Sequence, residues 1–99
     1  MRIELALRVA DDFERIVQHL VDNDVALPAE RLATIRSAIA ILATSPLLGR
    51  PAARGNRELI IGRRGQGYVA LYRYFPKKDL VLVLAIRGQR EAGYKETSH

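Results

Sequence analysis

The stretch from Arg57 to Tyr94 constrains the fold most, because it has the pattern of three consecutive strands joined by short turns. A glycine-rich segment at residues 62–67 separates the first two strands, as in a β-hairpin. The third strand contains the unbroken apolar run Leu80–Ile86. Such a run is typical of a central strand that is covered on both faces. The stretch therefore predicts an antiparallel sheet.

A short strand and two helices are predicted ahead of this sheet. Residues 3–7 alternate between apolar and other side chains, as in a strand with one buried face. A helix is expected over about 9–22, with an apolar stripe of Phe13, Ile16, Val17, Leu20 and Val21. Its solvent side is expected to carry Asp11, Asp12, Glu14, Arg15 and His19. Pro28 opens a second helix, whose core stripe is Leu32, Ile35, Ile39 and Leu42 and which ends before Pro46.

The predicted order of elements is β-α-α-β-β-β, which indicates the α+β class. We expect a small two-layer domain in which an αα-hairpin packs on one face of a mostly antiparallel sheet. The N-terminal strand is expected to join beside the last strand or at an edge. The length of 99 residues fits one domain, spanning residues 1–99.

Composition argues against several classes of chemistry. The chain has no cysteine and only two histidines, His19 and His99, which lack partners at metal-ligand spacing. We therefore expect no metal, no cofactor and no nucleophilic triad. The longest apolar run is far shorter than the roughly 20 residues that span a bilayer. The N-terminus lacks the pattern of a signal peptide, so a cytoplasmic protein is expected.

Charge is distributed unevenly along the sequence. Residues 1–49 carry five arginines and seven acidic residues, whereas residues 50–99 carry eleven basic and four acidic residues. Thirteen of the sixteen basic residues are arginines, whose planar fork matches carboxylates and phosphates. This asymmetry predicts a basic face in the second half that binds a polyanion or an acidic partner. The candidate contact residues are Arg57, Arg63, Arg64, Arg73, Arg87, Arg90 and Tyr94.

Two kinds of phosphate chemistry are relevant to this basic half, namely phosphate binding by a P-loop and cleavage of RNA. Residues 62–67 lack the pattern of a P-loop, so a hairpin turn with exposed Arg63 and Arg64 is expected there. Metal-free RNA cleavage requires an acid, a base and cations, and Arg87, Arg90 and Tyr94 are the candidates for these roles. Arginine is a poor base, and the predicted sheet carries no lysine or histidine. The sequence therefore favours a non-catalytic protein.

These segments together resemble the RelE/ParE superfamily of toxins from bacterial type II toxin–antitoxin systems. The resemblance covers nearly the whole chain in element order. It depends on Arg57–Leu59, Gly67–Arg73, Val81–Arg87 and the closing segment Arg90–Tyr94. The resemblance implies one of two activities: ribosome-dependent cleavage of messenger RNA in RelE-like members, or poisoning of DNA gyrase in ParE-like members.

The RelE-type pattern has lysines on the strand that matches Arg57–Gly62 and an arginine after the tyrosine that matches Tyr68. This chain has Ile60, Gly62 and Val69 at those places. The loss of these cations favours the ParE-like branch, a gyrase inhibitor that blocks replication. A RelE-like endoribonuclease and a plain basic nucleic-acid-binding module remain as alternatives.

The resemblance also implies partners. It implies a cognate ParD-like antitoxin, whose C-terminal segment wraps the toxin in a hetero-oligomer, and DNA gyrase as the target. We expect a partner helix in the groove of the αα-hairpin and a partner strand at an exposed edge of the sheet.

Overall fold

A computed structural model describes residues 1–23, 28–62 and 67–89. Two helices are present, α1 (Arg8–Asp22) and α2 (Pro28–Ile41). The strands are β1 (Arg2–Leu5), β2 (Arg50–Pro51), β3 (Arg57–Ile61), β4 (Tyr68–Phe75) and β5 (Leu80–Gly88). Short 3-10 turns lie at Ala53–Gly55 and Pro76–Lys78. None of the described helices is long and apolar enough to cross a membrane.

The five strands form one sheet in the order β1-β5-β4-β3-β2. β1 pairs with β5 in parallel, and the other neighbouring strands are antiparallel. The predicted α+β class and the predicted place of the N-terminal strand, at an edge beside the last strand, are confirmed. β2 was not predicted, because its two residues lie within a segment rich in glycine and proline.

The two faces of the sheet have different surroundings. On one face, which we call the helix face, residues such as Leu59, Tyr72 and Val83 join side chains of α1 and α2 in one buried cluster. Because side chains alternate along a strand, Ile60, Val69, Leu71 and Arg73 lie on the opposite face, which we call the second face. The helices α1 and α2 therefore cover the helix face and not the second face.

A shift in register divides β5 into two parts. Leu71 pairs with Ala85 whereas Tyr72 pairs with Val83, so Leu84 has no partner across β4. An extra residue of this kind reverses the side-chain alternation beyond it. Val83 and Ile86 consequently both lie in the helix-face cluster, although they are three residues apart. Arg87, the next residue, falls on the second face.

A carboxylate on α1 fixes this helix against β5. Asp12 is only 1% exposed. Its Oδ2 accepts a hydrogen bond of 2.9 Å from the backbone N–H of Ile86, and its Oδ1 accepts one of 2.7 Å from Arg15. Arg15 in turn donates to the carbonyl oxygen of Ile86 at 2.9 Å. The second arginine, Arg8, approaches Oδ1 of Asp12 to 3.8 Å.

The predicted solvent side of α1 was therefore wrong at two positions. Asp12 is buried and Arg15 is partly buried, while Val21, predicted in the core stripe, is 54% exposed. The buried residues of α1 are Val9, Asp12, Ile16 and Leu20, which follow helical spacing. The stripe is thus rotated relative to the prediction, because the carboxylate has partners that offset the cost of burying it.

A second set of contacts attaches the segment after α2 to the sheet. The hydroxyl of the fully buried Tyr72 donates to the carbonyl oxygen of Pro46 at 2.7 Å and accepts from the N–H of Gly49 at 2.8 Å. A Cβ atom at Gly49 would lie 2.6 Å from the Tyr72 ring. Glycine is therefore required at position 49 for this close approach.

Candidate interaction surfaces

A row of three neighbouring side chains crosses the second face. The register pairs Ile60 of β3 with Val69 of β4, and Val69 with Arg87 of β5. Ile60 is 42% exposed, Val69 is buried and Arg87 is partly buried. The guanidinium of Arg87 donates to the carbonyl oxygen of Gly88 at 3.1 Å. This row, which we call the Ile60–Arg87 row, combines two apolar side chains with one cation.

The row contains two of the three positions at which the sequence lacks the cations of a nuclease. Ile60 and Val69 are neighbours across the β3–β4 pair. Gly62 follows directly after β3 with a φ of 84°, a left-handed conformation that suits glycine. These replacements leave Ile60 as an exposed apolar side chain beside the buried Val69 on the described part of the second face.

Arg57 lies on the helix face and is engaged within the molecule. Its Nη1 donates to the carbonyl oxygen of Gly49 at 2.6 Å and to that of Leu47 at 3.3 Å. Both acceptors lie in the segment that Tyr72 also holds. These contacts make Arg57 a support of the fold, which its place at a strand end did not indicate. Its predicted contact with a partner stays a prediction.

Arg73 belongs to a different part of the second face. Its Cζ lies 5.3 Å from the centroid of the Phe75 ring, and the Nζ of Lys78 lies 5.6 Å from the same centroid. Arg73 and Arg87 are separated along the sheet, because Arg87 pairs with Val69, four residues before Arg73 on β4. That separation is about 13 Å at the rise of a β-strand. Among the described residues of the predicted contact set, Arg73 and Arg87 therefore lie at different places on the second face.

Four of the predicted contact residues lie outside the residues that the structure describes: Arg63, Arg64, Arg90 and Tyr94. Of the remaining three, Arg57 lies on the helix face, while Arg73 and Arg87 lie on the second face at different places. Phe75 and Lys78 were not among the predicted contact residues. The alternation of β4 was the signal that could have placed Phe75 beside Arg73.

Potential metal ligands are not grouped in the described part of the chain. Within residues 1–23, 28–62 and 67–89, no three His, Cys, Asp or Glu side chains lie together so that they could hold a metal ion. His19 is exposed on α1, where its ring approaches the side chain of Asn23.

Comparison with solved structures finds the same fold in two toxin–antitoxin systems. The chromosomal ParDE toxin–antitoxin system of P. aeruginosa matches with a TM-score of 0.72 and 21% identity, over 89% of this chain and 95% of that chain. The RelBE2 toxin–antitoxin complex of Mycobacterium tuberculosis matches with a TM-score of 0.60 and 20% identity, over 91% of this chain and 92% of that chain. At these identities, the likeness concerns the fold.

The family comparison is more specific. The two solved structures share the fold of this chain, and a family model identifies the class of protein. The family model of the ParE toxin of the type II toxin–antitoxin system parDE matches residues 3–93. The chain belongs to the ParE toxin family. Among proteins with curated functions, none is similar enough in sequence to count as a match.

Proposed function

We propose that this ParE-type toxin inhibits DNA gyrase in the cytoplasm and thereby blocks replication. The observation that carries the proposal is the Ile60–Arg87 row. The positions that would carry nuclease cations hold Ile60 and Val69, which face the same side of the sheet as Arg87. Apolar side chains beside a partly buried arginine are typical of a surface that binds another protein.

The same row argues against cleavage of RNA. Cleavage requires a base for the 2′-hydroxyl and an acid for the leaving oxygen, within hydrogen-bond reach of the substrate. A guanidinium does not exchange its proton readily, so an arginine such as Arg87 serves poorly in either role. Ile60 and Val69 have no titratable group. The alternative, a ribosome-dependent endoribonuclease, would have to draw its acid and base from elsewhere.

Supercoiling by purified gyrase tests the proposal directly. Relaxed plasmid, ATP and gyrase are incubated with increasing toxin, and DNA breaks are scored after treatment with detergent and protease. We expect loss of supercoiling together with accumulation of cleaved DNA. An unaffected gyrase at high toxin excess, with messenger RNA cut on added ribosomes, would instead establish the RelE-like alternative.

Two variants locate the contact within the row. Ile60→Lys introduces a charge on a side chain that is already partly exposed, and Arg87→Gln removes the cation. Each is expected to raise the inhibitory concentration by about tenfold or more, the effect of losing a central interface residue. Arg31→Gln on α2 is the matched control, because it removes the same charge far from the row. If Arg87→Gln and Ile60→Lys, checked to be folded, inhibit like the control, the proposed contact is wrong.

We further propose that a cognate antitoxin neutralises this toxin by wrapping it with a C-terminal segment. The edge strand β1 supports this proposal, because one side of it is paired with β5 and no strand of the described residues lies on the other. Leu5 and Leu7, at the end of β1 and just beyond it, are 51% and 96% exposed. Exposed apolar side chains next to a free strand edge are suited to strand addition by a partner.

A further inference from the structure

A cluster of basic side chains surrounds one aromatic ring at the turn between β4 and β5. We call it the Phe75 cluster: Arg54, Arg73, Phe75, Lys77 and Lys78. Arg73 and Lys78 lie over the Phe75 ring with their charged groups 5.3 Å and 5.6 Å from its centroid. The charged groups of Arg73 and Lys78 are therefore no farther apart than the sum of these two distances. Such contacts fix the position of cations that would otherwise be mobile in solvent.

The turn Ala53–Gly55 brings a further cation to the same place. A Cβ atom at Gly55 would lie 3.7 Å from the Nη2 of Arg73, so this turn lies against the Arg73 guanidinium. Arg54, the residue before Gly55, is exposed and has a φ of 64°. This left-handed conformation is uncommon for a residue other than glycine. The turn therefore brings the backbone at Arg54 near the Arg73 guanidinium, at some conformational cost.

The charges of the Phe75 cluster are not neutralised by carboxylates in the described part of the chain. Arg54, Arg73, Lys77 and Lys78 make no ion pair there. The acidic residue closest in sequence is Asp79, whose side chain is 75% exposed and whose carboxylate lies 3.8 Å from the N-terminal ammonium group. Four cations at one end of the sheet therefore lack a fixed counter-charge.

We propose that the Phe75 cluster binds the backbone phosphates of duplex nucleic acid. Arginine and lysine are the residues that contact phosphate oxygens most often, the first through its fork and the second as a point charge. A protein partner would require an apolar centre to its interface. The described cluster has one aromatic ring, which already lies beneath two cations. A single strand would need such a ring as a stacking platform for its bases.

This site is distinct from the proposed contact with gyrase. Phe75 pairs with Leu80 at one end of the β4–β5 hairpin, whereas Tyr68 pairs with Gly88 at the other end. Seven residue steps separate these ends, which is about 23 Å at the rise of a β-strand, and Arg73 of the cluster lies about 13 Å from Val69 of the row. The inference does not depend on the target of the toxin, and its test contains no gyrase.

Fluorescence anisotropy with a labelled 24-base-pair DNA duplex tests the proposal. The wild-type chain is expected to bind with a Kd in the range of about 10⁻⁶ to 10⁻⁴ M at physiological salt, as for contacts to the DNA backbone. The double variant Lys77→Gln/Lys78→Gln, which we call the cluster variant, is expected to bind at least tenfold more weakly. The slope of log K against log salt should fall in magnitude by about 2, since each contacted phosphate contributes about 0.9.

A charge-matched control separates the cluster from the net charge of the molecule. The double variant Arg31→Gln/Arg36→Gln on α2 removes as many positive charges as the cluster variant Lys77→Gln/Lys78→Gln but leaves the Phe75 cluster intact. It is expected to lose less than threefold in affinity. If the control loses as much as the cluster variant, or if the wild type does not bind the duplex, the proposal is overturned.

Two further binding measurements test which class of ligand the Phe75 cluster prefers. A single strand of the same sequence and a poly-glutamate peptide of equal charge are expected to bind more weakly than the duplex. Tighter binding of either would assign the cluster to that class of partner and overturn the duplex proposal. If the cluster variant does not fold, Lys77→Glu, which alters one exposed side chain, is expected to weaken duplex binding while Arg31→Glu does not.

Discussion

At the scale of single residues, Asp12 shows how a polar side chain can occupy a core position. Its position continues the helical spacing of Val9, Ile16 and Leu20, so the spacing was visible in the sequence. The residue type argued against burial, because an acidic residue near the start of a helix is usually explained by the helix dipole. Its partner Ile86 is distant in the sequence. Arg15 lies on the same helix, but the sequence does not show that its side chain faces Asp12. Only the fold brings them together.

Replacement of Asp12 should therefore destabilise the protein more than replacement of its exposed neighbour Asp11. Asp12→Ala leaves the N–H of Ile86 without its acceptor and Arg15 without its carboxylate. The expected loss is about 2–4 kcal/mol in the free energy of unfolding. Asp12→Asn should lose less, since it can still accept from Ile86. Urea unfolding followed by circular dichroism measures both.

Asp11→Ala is the control for this prediction, because Asp11 is exposed one residue away on the same helix. Its expected effect on the free energy of unfolding is within about 0.5 kcal/mol, as for most surface substitutions. Equal effects of Asp11→Ala and Asp12→Ala would show that the contacts of Asp12 with β5 do not stabilise the fold.

At the scale of elements, the two edges of the sheet differ in what they offer a partner strand. β1 presents four consecutive residues and is flanked by the exposed Leu5 and Leu7. The opposite edge is stepped, because β2 has two residues and covers only part of β3. Pro51 in β2 also lacks a backbone N–H, which makes it unsuited to further pairing. We therefore expect an antitoxin strand to add to β1.

Substitutions beside β1 should weaken the complex with the antitoxin. Leu5→Lys/Leu7→Lys places two charges where apolar contacts are expected, and it should raise the Kd by about tenfold or more. Leu48→Lys, an exposed leucine in the segment held near β3, is the control and should have little effect. Isothermal titration with the purified antitoxin measures both. A larger effect of Leu48→Lys would move the docking site to the other side of the molecule.

At the scale of the whole molecule, the order of the elements followed from the sequence, because short links leave few arrangements. The glycine-rich segment 62–67 was predicted to separate two strands, and β3 ends and β4 begins beside it. The parallel pairing of β1 with β5 depends on contacts across the whole chain, and the sequence indicated only its place. The candidate site was predicted less well, since arginines at strand ends carry no sign of which face they occupy or whether, like Arg57, they are engaged within the fold.

The uneven charge along the chain has a consequence for association. The second half carries seven more positive than negative charges, and the first half carries two more negative than positive. An acidic antitoxin segment should therefore be attracted before contact, and its association rate should fall by about tenfold or more between low and high salt. Stopped-flow fluorescence measures this rate. A rate that does not change with salt would show that the charge asymmetry does not steer the encounter.

The unpaired Leu84 in β5 also matters in genetic terms. It stands between Val83 and Ala85 without a partner across β4, so its removal would leave a regular strand in which Ile86 and Arg87 keep their present faces. An in-frame deletion of this one codon would therefore change neither a proposed contact residue nor the direction of the last part of the strand. A cell under selection to escape the toxin gains nothing from this deletion, and a survey of escape mutants should not recover it.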